Sequence, residues 1–263
     1  MIRQLIMSME DDIPVLFNWG RYFKHVILKG NVTYPAVLGP IFSKIGSGKL
    51  VAVDVGANVG IFTRYLSRHF AETHAVEPIP HLARRLRAIA PRKVKVHNCA
   101  LGAADGEITI RTPVDALGRR MDALSTAALQ NDFALFGHDQ SIATVVQQAR
   151  LSDLFPGNAR VGFVKIDVEG FENEVLAGAT ELIERDHPLF LIEISRTHNP
   201  SYEVAIKFLE SLGYKGYSIT DSAIVDRMRS DIIAQPSTMD EDSEIIPQWD
   251  FLFIHNSQRG LVA

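Results

Sequence analysis

Residues 50–60 read LVAVDVGANVG: a short β-branched run, Leu50 to Val55, breaks into a glycine-bearing turn and then into helix-compatible sequence from Val59. A run this apolar suits a strand covered on both faces, as parallel strands are, rather than one with a solvated side. Gly56 permits a tight turn, and its missing side chain lets a ligand approach the backbone. Gly60 is expected to let the following helix pack close against the strand. In open α/β sheets ligands sit beyond the carboxyl ends of the strands, which is where this turn falls.

Outward from the turn the chain alternates. A helix is expected from Val59 to about Phe70, a strand at THAVEP (Thr73–Pro78), a helix from His81 to Ala90 and a strand at KVKVH (Lys93–His97). Gly106 to Ile110 reads as a turn and a short edge strand. VGFVKID (Val161–Asp167) and LFLIEI (Leu189–Ile194) are further buried strands, with one helix from Phe171 to about Arg185 between them. Tyr202 to Leu212 is helical and stops at Gly213. Tyr214–Ile219 and Phe251–His255 are expected to form a closing antiparallel pair. Strands separated by helices of this length imply an α/β fold with a doubly wound parallel sheet. That domain is assigned to residues 48–263. Residues 1–47 read as an N-terminal helical extension, with Val15, Leu16, Trp19, Phe23, Val26 and Ile27 at helical spacing and Pro35 opening a second helix. Residues 112–140 and 220–249 lack periodicity, and the first reads as a lid.

The 263 residues are 46% apolar and 22% charged, the mixture of one large globular domain. A net charge of −4 leaves no general footprint for nucleic acid. Arg84-Arg85-Leu86-Arg87 reads as the solvated face of a helix. The single cysteine, Cys99, cannot form an intrachain disulfide or a thiolate zinc site. MIRQLIMSMEDDIP has too short an apolar run for a signal peptide, and no stretch is apolar enough to span a membrane. The expectation is a cytoplasmic protein with no nucleic-acid partner.

The turn lacks the middle glycine of G-x-G-x-x-G, and Asp54 would repel a pyrophosphate at close range. The same acid suits a ligand bearing an ammonium and a sulfonium, which points to S-adenosyl-L-methionine rather than a nicotinamide dinucleotide. Glu77, 21 residues after Gly56, can accept the hydroxyls of a ribose. In HNCALG (His97–Gly102), Asn98 is placed near the adenosine, with Ala100 and Leu101 as walls for adenine. VKIDVEGFE (Val164–Glu172) delivers Asp167 to the carboxyl end of a buried strand. Glu169 and Glu172 fall in the expected first turn of the next helix, where acids favour the dipole. The base candidates are Asp167 first, then Glu193 and His198. No metal is required by the spacing, although Asp167, Glu169 and Glu193 could supply oxygen ligands to Mg²⁺.

DVGANVG, VEP, HNCALG, VKIDVEGFENEVLAGA and LFLIEI, in this order, resemble the FkbM family of S-adenosylmethionine-dependent methyltransferases, over roughly Leu50 to Ile219. The resemblance implies a class I methyltransferase, Rossmann-like fold and O-methylation of a hydroxyl on a sugar, glycan or natural product. It also implies that Asp54, Gly56, Ala57, Asn58, Gly60, Glu77 and Asn98 contact the cofactor and that Asp167 lies at the active-site strand end. The N-terminal segment and residues 112–140 fall outside it and are expected to set the acceptor. Two other readings differ in class. One is a non-catalytic adenosine-cofactor-binding protein on the same scaffold, and the other a nicotinamide-dependent oxidoreductase, which needs the missing glycine.

Overall fold

A computed structural model describes residues 33–45, 50–115, 117–128, 140–157, 159–220, 223–235 and 249–261. The expected helix through Val15 to Ile27 lies outside them. The described chain begins with helix α1 (Thr33–Ile45), then β1 (Val51–Val55), α2 (Ile61–Leu66), β2 (Glu72–Val76), α3 (Pro80–Ile89) and β3 (Val94–His97). A second group, β4 (Ala100–Leu101), β5 (Gly106–Pro113) and β6 (Ser141–Ala149), precedes β7 (Val161–Ile166), α4 (Glu172–Ala177), α5 (Thr180–Asp186) and β8 (Leu189–Glu193). The chain closes with α6 (Tyr202–Ser211), β9 (Tyr214–Ile219), β10 (Ile224–Val225), α7 (Met228–Ile233) and β11 (Asp250–His255).

The main sheet has the order β10-β9-β11-β8-β7-β1-β2-β3. β3, β2, β1, β7 and β8 are mutually parallel, and β11 runs antiparallel between β8 and β9. Every residue of β1 and β7 is buried, as their apolar runs require. After β1 the chain winds outward through β2 and β3, then returns to the other side of β1 through β7. The strand order therefore reverses between β1 and β7, and in open α/β sheets a ligand crevice lies beyond the carboxyl ends at such a reversal.

Helices cover both faces of the sheet. On one side Phe42 of α1 packs its edge on Phe163 of β7, with ring centroids 4.7 Å apart, beside Phe70. On the other, Val53, Val55, Val164 and Ile166 pack with Val175, Leu182 and Ile183. Among the described residues no helix is long and apolar enough to cross a membrane.

Three local expectations are corrected. The helix expected over 171–185 is two, because the Gly178 carbonyl accepts the Ser152 N–H instead of continuing the ladder. The helix after the turn is confined to Ile61–Leu66, and its end tightens into bonds from Arg68 and His69 to the carbonyls three residues back. The short edge strand at Gly106 extends to Pro113 and pairs along its length with β6, in a small sheet ordered β4-β6-β5. Of the aperiodic 112–140 region, residues up to 128 fold back on β5 through the Arg111–Thr126 and Val114–Arg120 bridges. Residues 129–139 lie outside the described chain.

Candidate active site

β1 delivers Asp54 to the crevice almost completely buried. Its Oδ2 accepts the Thr63 hydroxyl at 2.5 Å, while Oδ1 has no hydrogen-bond partner among the described residues. Burial pushes the carboxyl above its usual range, against the pull of Lys165 and Thr63. A buried acceptor left without a donor calls for a ligand donor, and an ammonium group meets that need.

The turn that follows is clamped from two sides. Gly56 and Ala57 both donate their N–H groups to the Val76 carbonyl. Gly56 adopts φ +78°, and a Cβ there would stand 1.8 Å from the Asp167 carbonyl oxygen. Asn58, also left-handed at φ 49°, occupies the place where a dinucleotide fingerprint has its middle glycine. Its N–H donates to Glu77 Oε2 at 2.7 Å. Gly60 corrects an expectation: a Cβ there would meet Leu86 Cδ1 at 2.3 Å, so its bareness brings α2 against α3, not against a strand.

Glu77 is buried at the end of β2, and its Oε1 accepts the Ile79 N–H at 2.7 Å. The carboxylate thus ties the glycine turn to the β2–α3 connection, and each oxygen keeps a further lone pair for a hydroxyl donor. Burial pushes its pKa up to about 7, although both backbone N–H groups oppose the shift. Asn98 spends its amide nitrogen on the Glu77 and Pro78 carbonyls, both at 2.9 Å, so it holds this connection in shape. Ala100 and Leu101 cannot both wall an adenine, because neighbours on a strand face opposite ways. Ala100 packs with Ile79, Leu82 and Ile110, and Leu101 with the main core around Leu151 and Phe155.

A hydroxyl donor on Glu77 favours its charged form. Affinity for S-adenosylhomocysteine is therefore expected to rise with pH up to about 7 and then level off. Glu77→Gln should flatten that profile and weaken binding by about 1.5–3 kcal/mol, with calorimetry as the readout. Melting temperatures belong beside it, since Glu77 also braces two backbone segments.

On the other side of the crevice β7 carries Lys165, which pairs in register with Asp54. Its Nζ donates to Asp167 Oδ2 at 2.5 Å and lies 5.6 Å from the Phe62 ring centroid. Two residues apart on an extended segment, Lys165 and Asp167 share one face. Helix capping is not the role of Asp167, since α4 has no side-chain cap and the Gly170 N–H goes to Glu172 instead. Glu193 ends β8, with Asp250 of β11 opposite it in register. Oxygens of Asp167, Glu169 and Glu193 all lie within 4.8 Å of one another. Burial, then the charges of Asp167, Glu169 and Asp250, hold Glu193 well above the ordinary carboxylate range, against the pull of Lys165.

Glu169 stands with Asp167 and Glu193, as the Mg²⁺ reading expects, and not in the first turn of the helix, as the dipole reading expects. It precedes α4, in a left-handed conformation at φ 51°, and its carbonyl accepts the Thr126 hydroxyl at 2.7 Å. Its Oε2 lies 2.5 Å from His198 Nδ1. His198 is buried, not an exposed loop residue. Burial disfavours its charged form, but Glu169, with Glu172 and Asp167, raises its pKa. Glu172 does open α4, yet its carboxylate is an internal brace that accepts from the Gly170 N–H and from Asn199 Nδ2 at 2.7 Å. Burial pushes it up to about 7. Asp167, Glu193 and His198 are therefore brought together, with Lys165 and Glu169 added.

The family model described as methyltransferase FkbM domain matches residues 54–215. Methyltransferase 1 of Beauveria bassiana is 29% identical over 143 residues, 48% of this chain and 57% of that protein. The 31-O-demethyl-FK506 methyltransferase FkbM of Streptomyces tacrolimicus is 30% identical over 155 residues, 50% of this chain and 60% of that one. The chain thus matches less than two thirds of the length of these relatives. Among solved structures, methyltransferase FkbM from Methylobacillus flagellatus superimposes with a TM-score of 0.48 at 14% identity, over 90% of this chain and 60% of that one. The family match runs from Asp54 at the end of β1 to Lys215 in β9 and takes in both sides of the crevice. By that match, the chain belongs to the FkbM family of S-adenosylmethionine-dependent methyltransferases.

Proposed function

We propose that this chain methylates a hydroxyl group of a sugar, glycan or natural product, using S-adenosylmethionine in a class I methyltransferase arrangement. The observation that carries the reading is the contact between the cofactor turn and the acid-bearing strand end, where Gly56 packs on the backbone of Asp167. Asp54 and Glu77 would hold the ammonium and ribose ends of the cofactor. The cofactor, when bound, supplies a methyl group already activated on a sulfonium. The protein must then hold an acceptor oxygen in line and take its proton. Asp167 is the first candidate for that proton. Lys165 fixes its carboxylate through Oδ2, so the proton would be taken at Oδ1. His198, paired with Glu169 through Nδ1, is the next candidate. Residues 1–47 and 112–140 are assigned to acceptor recognition.

The test is release of S-adenosylhomocysteine across a panel of hydroxyl acceptors, with mass spectrometry of the products. Binding of NADH in place of S-adenosylhomocysteine would sink the reading. So would methylation confined to amines or carboxylates.

A second reading concerns the metal, and the close approach of three carboxylates favours it. Asp167, Glu169 and Glu193 offer the hard oxygen ligands that Mg²⁺ prefers, and a cation would relieve their mutual repulsion. On this reading EDTA removes turnover, added Mg²⁺ restores it, and Glu193→Gln raises the Mg²⁺ concentration needed. Turnover indifferent to EDTA leaves the proton to a side chain, Asp167 first and His198 next.

A further inference from the structure

The outer sides of α2 and α3 carry a charge opposite to that of the chain as a whole. The net charge is −4. Yet α2 and its exit contribute Arg64 and Arg68, α3 contributes Arg84, Arg85 and Arg87, and the turn into β3 contributes Arg92, all six exposed. None of the six has an ion-pair partner among the described residues; Arg87 donates only to the Val96 carbonyl. The acids in this stretch do not offset them, because Glu77 is buried in the cofactor site and Glu72 is taken by Lys95 and His74. The basic helix face expected at Arg84–Arg87 is thus one part of a wider surface built from two helices.

Between those helices lies a cleft of about 200 Å³, lined by Val59, Ile61, Leu86, Ile89 and Pro91 with Arg64 at its side. Ile61 and Ile89 open into solvent, 40% and 62% exposed. Large aliphatic side chains exposed beside guanidinium groups that have no ion-pair partner suit a surface with anionic headgroups above hydrocarbon. Bare nucleic acid fits less well. The one exposed ring in residues 61–97, His81, is tied to Asp122 at 2.8 Å, which leaves no free platform for base stacking.

We propose that the α2–α3 face docks the protein peripherally on an anionic phospholipid surface, with the arginines on the phosphates and Ile61 and Ile89 at the acyl boundary. This does not depend on the acceptor or on the identity of the base. Flotation with phosphatidylglycerol vesicles should show binding that falls as salt is raised and is absent with phosphatidylcholine vesicles. The variant carrying Arg64→Ser, Arg84→Ser and Arg85→Ser should bind phosphatidylglycerol at least about tenfold more weakly. It should keep its affinity for S-adenosylhomocysteine, which reports an intact fold. Ile89→Ser, which leaves every charge in place, should weaken vesicle binding without changing its salt dependence. No binding by the parent protein at low salt overturns the proposal, as does equal binding to both lipids. Full retention of binding in the arginine variant overturns it too. Tighter binding of polyuridine, lost in the same variant, would reassign the surface to RNA.

Discussion

Asp167→Asn is expected to lower turnover by roughly 10²-fold or more, the scale of a lost general base. The substitution keeps the size of the side chain and an oxygen able to accept from Lys165 Nζ, so the local packing survives. Affinity for S-adenosylhomocysteine should change little, because Asp54, the Gly56 turn and Glu77 are untouched. A fall in kcat with an unchanged dissociation constant is the pattern that identifies a group acting on the acceptor. The helix-capping alternative has already lost its geometry, since neither the start of α4 nor the Gly170 N–H uses Asp167. Near-normal turnover in the Asn variant would pass the proton to His198. His198→Gln would then carry the loss, together with the pH dependence that the raised imidazole pKa shifts upward.

The parts of this molecule that were legible in the sequence are those set by local chemistry. VAVDV and VGFVKI announce buried parallel strands because every side chain in them must be covered, and every one is. The turn was legible because its missing middle glycine and its acid both argue against a pyrophosphate. What stayed hidden depends on partners distant in the chain. The pairing of Glu169 with His198 and its left-handed backbone leave no mark on the residues around it. Lys165 was printed two residues before Asp167, at the spacing that puts both on one face, but its value as a fixing cation appears only when Asp54 lies beside it in register. β6 was missed for a different reason. It belongs to a three-stranded sheet that buries only Val146 of its nine residues and leaves Val145 63% exposed, so no alternation of burial is written into it.

The register of the main sheet also explains why the crevice is so acidic. Asp54 stands beside Lys165, and Asp250 stands opposite Glu193, on the same face as Ala52, Phe163, Leu191 and Leu252. Asp167 continues that face one step past the end of β7. Lys165 is the fixed cation among four strand-end acids, which leaves an excess of negative charge that a sulfonium, an ammonium or Mg²⁺ can offset. Lys165→Met should therefore raise the carboxyl pKa values around it, since Lys165 opposes the upward shift of both Asp54 and Glu193.

Gly56→Ala is expected to abolish cofactor binding and to destabilise the fold by more than about 4 kcal/mol, the range reserved for backbone or core disruption. Gly60→Ala is the control that separates the two causes. Both glycines are left-handed, at φ +78° and +85°, so an alanine at either costs about 1–2 kcal/mol in backbone energy. They differ in what the added methyl meets. At Gly60 it meets the Cδ1 tip of Leu86, which can rotate away or be shortened in a second substitution. At Gly56 it meets the carbonyl oxygen of Asp167 at 1.8 Å, and no rotamer change moves a backbone atom. Relief there requires the turn to part from the end of β7, which breaks the Asp167 N–H to Val55 carbonyl bond of 3.1 Å and separates the cofactor turn from the carboxylates. Thermal melts and calorimetry with S-adenosylhomocysteine should therefore rank Gly56→Ala well below Gly60→Ala, with Leu86→Ala partly restoring the second and not the first. Equal losses in the two variants would mean that backbone conformation alone makes the turn, and that its contact with Asp167 contributes nothing.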